Sequence, residues 1–284
     1  MFSIEKNIKI KKISVNKKHV LYQDEENNLF FDGQFIKNDL ADFTDIYLSN
    51  TFIIAYSNDN HQFIYNKKLK FLYKKSFDFG FGSISNYLDN KNNRIVHLED
   101  GHYAQFNAIK NEVIKEYPSK FNGNYASVYQ DERLYFYDHE TFIVHAFSVT
   151  TDTIIWQIQL NARKVDKILG IVGEKLIVIY EGYMVRYICA LNIHTGAMIW
   201  HRDAGGLDPH TALIVPQKGT VISLKSRKPN SNTFIEMSLE TGETVRVGSL
   251  PELEKADLQV VRSVLHGNAL YFTANHDGSF GDVA

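Results

Sequence analysis

A chain of 284 residues with 44% hydrophobic and 23% charged residues has an ordinary globular balance, which excludes an intrinsically disordered chain. A formal net charge of −2 offers no broad cationic field, so neither nucleic acid nor a membrane surface is an expected partner. The single cysteine, Cys189, excludes an intramolecular disulfide and a cysteine zinc cluster.

The first ten residues, from Met1 to Ile10, alternate apolar and polar side chains and lack the apolar core of a signal peptide. No later stretch is apolar enough to span a membrane. The expected location is therefore cytoplasmic. Beyond the N-terminus the 16 Tyr and 19 Phe, with many Ile and Val, favour strands over helices.

The chain then runs as pairs of hairpins. The first turn of each pair is centred on Lys17, Asn50, Asn92, Asp131, Gly173, Lys218 and Gly267, in steps of 33 to 49 residues. The second hairpins carry their turns near Asp32-Gly33, Asn66-Lys67-Lys68, Lys110-Asn111, Thr151-Asp152, Thr195-Gly196 and Thr241-Gly242. Each turn supplies the polar or positive-φ residues that a tight hairpin requires. Four strands in about 40–45 residues is the period of a propeller blade. A pair of β-sandwiches would not repeat one hairpin pair so evenly.

The expectation is an all-β fold, with residues 1–284 forming a single β-propeller of about seven four-stranded blades. Strands A to D run from the centre outward. In the last repeat, residues 260–265, 269–274 and 279–284 read as strands A, B and C, and strand D is missing. The unused alternation from Phe2 to Ile10 is expected to supply that strand, closing the ring and removing the open sheet edges.

Two segments carry a specific motif. One is Ala146-Phe147-Ser148-Val149-Thr150-Thr151-Asp152-Thr153-Ile154-Ile155-Trp156, and the other is Ala190-Leu191-Asn192-Ile193-His194-Thr195-Gly196-Ala197-Met198-Ile199-Trp200. Their Trp residues are 44 positions apart. An Ala-Leu-Asn strand followed by Thr-Gly and Trp resembles the repeat of pyrroloquinoline-quinone-type propellers, over residues 129–246. The resemblance implies a Trp that packs between blades. It does not imply the family's dehydrogenase activity, because one cysteine cannot form the disulfide found beside the quinone, and no calcium-binding set of residues can be matched. Nor does Cys189 fit the lipidated N-terminal cysteine of the family's envelope lipoproteins.

Candidate chemistry is sparse. Trp156 and Trp200 could stack a cofactor, but their repeated position predicts packing. Cys189 lies in an apolar strand and reads as an inert thiol. His194, His201 and His210 lack metal-ligand spacing. Arg262, on a predicted inner strand, would line the central channel and meet either an anion or a carboxylate at the rim. No catalytic residue, metal or cofactor is expected.

The loops are richer. The B–C loops and the D–A connections between blades share one face, and long loops on a rigid scaffold are where binding resides. On that face the B–C loops are mostly acidic. Two D–A connections stand out: Phe77-Asp78-Phe79-Gly80-Phe81-Gly82, with its aromatics, and Arg202-Asp203-Ala204-Gly205-Gly206-Leu207-Asp208-Pro209-His210, with carboxylates and a hinge. The candidate binding residues are therefore Phe79, Phe81, Arg202, Asp203, Asp208, His210 and Arg262. The functional expectation is a non-enzymatic scaffold that binds a protein on the D–A/B–C face, or a subunit of a larger assembly. The alternative is a small-ligand binder or enzyme acting at the channel mouth.

Overall fold

The computed structural model describes residues 10–15, 19–24, 26, 28–36, 43–48, 52–57, 61–66, 70–76, 82–83, 93–97, 102–107, 109–110, 112–120, 127–138, 141–204, 206–225, 233–255, 259–266 and 269–275. These residues form successive antiparallel sheets whose strands follow chain order. Apart from a short helix at Pro251–Lys255 and a 3-10 turn at Pro216–Lys218, every described element is a strand. No helix among the described residues is long and apolar enough to cross a membrane.

Sheet one contains Ile10–Val15, Val20–Asp24, Leu29–Phe31 and Gln34–Ile36. Sheet two contains Phe43–Leu48, Phe52–Ser57, His61–Asn66 and Phe71–Ser76. Sheet three contains Gly82–Ser83, Asn93–His97, His102–Asn107 and Glu112–Lys120. Sheet four contains Ser127–Gln130, Arg133–Asp138, Ile143–Ser148 and Thr153–Gln159. Sheet five contains Lys164–Val172, Lys175–Glu181, Arg186–Asn192 and Met198–Asp203. Sheet six contains Leu213–Val215, Thr220–Lys225, Thr233–Ser238 and Thr244–Ser249, and sheet seven contains Gln259–His266 and Ala269–Asn275.

First strands lie beside first strands: sheet one against two, four against five, five against six and six against seven. The first strand of sheet one also lies beside that of sheet seven, so the sheets return on themselves as a β-propeller. The expected blade count changes, and the expected closure is described only at Ile10. About seven complete blades were expected, but only five described sheets have four strands of at least three residues. A sixth begins with the two-residue strand Gly82–Ser83, and sheet seven has two strands. Ile10 does not join the last sheet; it pairs with Asp24 inside sheet one. The other residues assigned to closure, Phe2 to Lys9, lie outside the described residues, as does the expected strand at 279–284.

The core explains why the middle strands are unbroken apolar runs. A strand turns successive side chains to opposite faces, and here both faces are covered by neighbouring sheets. In sheet five, Leu176, Val178 and Tyr180 pack with Tyr135, Tyr137 and Val144 of sheet four. The intervening Ile177 and Ile179 pack with Val221, Ile235 and Met237 of sheet six.

The two Trp residues lock adjacent sheets together. Trp156 is on the outer strand of sheet four, and its Nε1 donates to the carbonyl of Ile193 in sheet five at 2.8 Å. Trp200, on the outer strand of sheet five, donates to the carbonyl of Leu239 in sheet six at 3.1 Å. Each indole lies on the Gly of the next sheet's Thr-Gly turn. A Cβ at Gly196 would approach Trp156 Cε3 to 2.7 Å, and one at Gly242 would approach Trp200 Cε3 to 2.5 Å. Both glycines have positive φ, +73° and +72°, so the turn and the indole together demand glycine.

The turns are held by their own side chains. Asn192 Oδ1 accepts from the backbone N–H groups of His194 and Thr195, and Ser238 Oγ accepts from those of Glu240 and Thr241. In sheet four Asp152 replaces the glycine at φ +55°. Trp200→Ala removes both the ring and its hydrogen bond and should cost about 3–5 kcal/mol in chemical denaturation. A cost below about 1 kcal/mol would show that the indole does not hold the sheets together.

Candidate interaction face

Sheet five and its connection to sheet six form part of the D–A/B–C face. The connection, expected to act as a polar hinge, is instead a folded cap. Ala204, Leu207, Asp208, Thr211 and Ala212 are buried. Ala204, Leu207 and Ala212 join the apolar core between sheets five and six.

Asp208 organises this cap. Its backbone N–H donates to Ser223 Oγ at 2.8 Å, and its carbonyl accepts from Ser223 Oγ at 3.0 Å and from the N–H of Ala212 at 2.9 Å. Its carboxylate accepts from the N–H of His210 at 2.9 Å. Thr211 Oγ1 donates to the carbonyl of Leu224 at 2.6 Å, and Ser263 Oγ of sheet seven donates to the carbonyl of Thr211. One loop thus ties three sheets together.

Charged groups from the rest of sheet five brace the cap from below. The buried carboxylate of Asp166 accepts from Arg186 Nε at 2.7 Å and pairs with Lys164 at 3.2 Å. Arg186 also reaches the carbonyl of Leu207. Lys167 Nζ donates to the carbonyl of Ala212 at 3.1 Å. Burial pushes the Lys167 ammonium down to about 8, against the opposing pull of the Asp208 carboxylate.

The described members of the sequence-selected set occupy different settings. Asp208 is buried in the cap, while His210 is exposed beside it. Asp203 is exposed at the end of its strand, opposite Tyr187. Arg202 is exposed, and its Cγ lies 2.9 Å from where a Cβ on Gly242 would stand, so its stem covers the Thr-Gly turn of sheet six. Arg262 occupies the first strand of sheet seven, opposite Thr273. Phe79 and Phe81 lie outside the described residues. The structure also separates the three histidines: His194 is on a C–D turn, His201 on an outer strand and His210 in the D–A cap. Cys189 is fully buried, which pushes its thiol up to about 12 and makes it a poor nucleophile.

Sequence reasoning missed a cleft on the same face. It has a volume of about 410 Å³ and is lined by Phe142, Gln159, Leu160, Asn161, Ala162, Arg163 and Tyr183. The cleft is open to solvent, and its lining comes from the connection between sheets four and five and from Phe142 and Tyr183 on the two neighbouring hairpins. Tyr183 and Met184 are 78% and 95% exposed at one tip. Phe142 stands at the other tip with φ +60°, a conformation that costs a bulky residue about 1–2 kcal/mol. One local signal was available: Gly182-Tyr183-Met184-Val185 puts apolar residues where a hairpin tip is normally polar.

No protein-family model and no curated protein sequence matches this chain. Solved structures do match it in fold. BamB from Moraxella catarrhalis has a TM-score of 0.60 at 12% identity, over 95% of this chain and 83% of that one. The computationally designed Ika8 protein has a TM-score of 0.62 at 11% identity, over 96% of this chain and 95% of that one. The WD40 domain of Toxoplasma gondii coronin has a TM-score of 0.60 at 11% identity, over 91% of this chain and 74% of that one. These similarities establish the β-propeller fold.

The buried lysine gives a pH test of the cap. With a native pKa lowered from 10.5 to about 8, Lys167 binds its proton less tightly in the folded state than in the unfolded state. Its contribution to stability is therefore least favourable below pH 8 and improves as pH rises towards 10. Lys167→Met lacks this term. Its stability relative to wild type, measured by urea unfolding, should decline between pH 7 and 10, by up to about 3 kcal/mol. A difference that stays flat across that range would show that Lys167 is not desolvated by the cap.

Proposed function

We propose that the chain is a non-catalytic propeller scaffold that binds a protein partner through its D–A/B–C face. One observation carries this reading: on that face, hydrogen bonds and ion pairs hold the backbone rigid while Tyr183, Met184, Val185 and Phe142 project exposed apolar surface from two neighbouring hairpin tips. Aromatic and Met side chains on a rigid frame are the usual anchors of protein interfaces. The fold similarity to BamB and to the coronin WD40 domain supports a propeller scaffold.

Capture from the native host with the full chain as bait, followed by hydrogen exchange on the purified complex, tests the proposal. Protection should appear in residues 141–142, 159–163 and 182–186 and leave the Thr-Gly turns unchanged. Protection confined to the turns at 192–197 and 238–243 would place the partner on the opposite face and contradict the proposal. A small molecule that raises Tm, with no protein captured, would favour the alternative.

A further inference from the structure

We infer that the seam between sheets three and four is a charge-dependent latch: Lys115 stands where a tryptophan stands at the next two seams, and this seam opens before those two. The latch is a property of the frame and does not depend on what docks on the D–A/B–C face.

The equivalence is geometric. Trp156 is paired with Ala146 and Trp200 with Ala190, and in each case the register shifts at the next step of the ladder. Lys115 is paired with Gln105, with the same shift beside it. Its Nζ donates to the carbonyl of Val149 at 3.0 Å, as the indoles donate to the carbonyls of Ile193 and Leu239. The acceptor frame is also shared. The N–H of Val149 donates to the carbonyl of Glu132, that of Ile193 to Glu174 and that of Leu239 to Gly219, so each acceptor residue is tied to the first turn of its own sheet. These three seams have one kind of acceptor and differ in the donor.

The change of donor changes what holds the seam. Trp156 and Trp200 are buried, whereas Lys115 is exposed. An ammonium keeps the hydrogen bond but buries far less apolar area than an indole. Its charge is used instead. The bond to Val149 is charge-assisted, and the ammonium lies 4.7 Å from the centre of the Tyr117 ring. Tyr117 is buried and meets Phe147 of sheet four edge-on at 6.2 Å, so Lys115 covers an aromatic contact between the two sheets.

The facing turn completes the exchange. Where Gly196 and Gly242 each receive an indole, sheet four has Asp152 at φ +55°. Its Oδ1 is buried with no hydrogen-bond partner among the described residues. Opening this turn hydrates that oxygen and relaxes a left-handed aspartate, two gains that the glycine turns do not offer. A weaker apolar hold and a strained acceptor turn therefore fall on the same seam.

The test is amide exchange, read by NMR at the N–H groups of Val149, Ile193 and Leu239 in urea well below the unfolding midpoint and corrected for intrinsic rates. In the wild-type chain Val149 should exchange at least about tenfold faster than the other two. Lys115→Gln removes the charge and should speed Val149 about tenfold further, with Ile193 and Leu239 unchanged. Lys115→Arg keeps the charge and should stay within about threefold of wild type. Lys115→Trp with Asp152→Gly rebuilds the indole–glycine contact and should slow Val149 to the rate of Ile193.

Equal rates at the three amides of the wild-type chain would overturn the inference, as would a Val149 rate that Lys115→Gln leaves unchanged. Equal acceleration of all three amides in Lys115→Gln would also overturn it, because the lysine would then act on global stability and not on one seam. Acceleration in Lys115→Arg as large as in Lys115→Gln would show that charge is not what holds the latch. The glutamine and arginine variants decide the matter even if the rebuilt seam does not fold.

Discussion

The seams from sheet four to five and from five to six depend on one repeated contact, an indole laid on the glycine of a neighbouring Thr-Gly turn. A sheet that is apolar on both faces cannot be stable alone and must be covered on each side. The hydrophobic effect presses the sheets together but does not set their register. Trp156 and Trp200 do, because each combines a large apolar ring with a directed hydrogen bond to a carbonyl of the next sheet, that of Ile193 or Leu239. The acceptor turn is built to match, with Asn192 or Ser238 fixing the backbone so that Gly196 or Gly242 leaves room for the ring. The contact thereby couples the shape of a hairpin in one sheet to the position of the sheet before it.

The two faces of the propeller are organised differently as a result. One carries the Thr-Gly turns, whose geometry serves sheet-to-sheet packing. The other carries the connections between sheets, and there the chain uses buried polar chemistry. Asp208, Thr211, Ser223 and Ser263 bond one another across three sheets, and Asp166 holds Arg186 beneath the same loop. A buried ion pair is weak evidence of net stabilisation, but it restricts geometry strongly. On this base the 182–185 tip, closed by the bond from Gly182 N–H to the carbonyl of Val185, and Phe142, whose N–H donates to the carbonyl of Asp138, present exposed side chains. That division between a fixed base and exposed apolar tips is what a binding surface needs, because little entropy remains to be lost at the backbone when a partner docks.

The sequence carried the architecture in its local patterns. Alternating strands, Gly- and Asn-bearing turns and the Trp spacing are all features within one repeat, so the all-β propeller and the interblade role of Trp200 were legible. The Asp208 cap was not. Its partners lie 15 residues away at Ser223 and, through Thr211, 52 residues away at Ser263, and nothing local distinguishes its carboxylate from a solvated one. The polar loop Arg202 to His210 therefore read as a hinge with binding carboxylates, although burial of Leu207 and Ala212 makes it a cap. The cleft was hidden for the same reason, since Phe142, Leu160 and Tyr183 belong to three separate segments. Only the apolar tip Tyr183-Met184 departed from the expected turn chemistry within a single stretch.

A double-mutant cycle tests the central contact most directly. Unfolding free energies are compared for wild type, Trp200→Leu, Gly242→Ala and the double variant. The strain of alanine at φ +72° is common to both backgrounds and cancels in the cycle, leaving the encounter of the new Cβ with the indole. Gly242→Ala should cost at least about 1 kcal/mol more in the presence of Trp200 than in the presence of leucine. Additivity within about 0.5 kcal/mol would contradict the account, because it would mean that indole and glycine do not meet in solution.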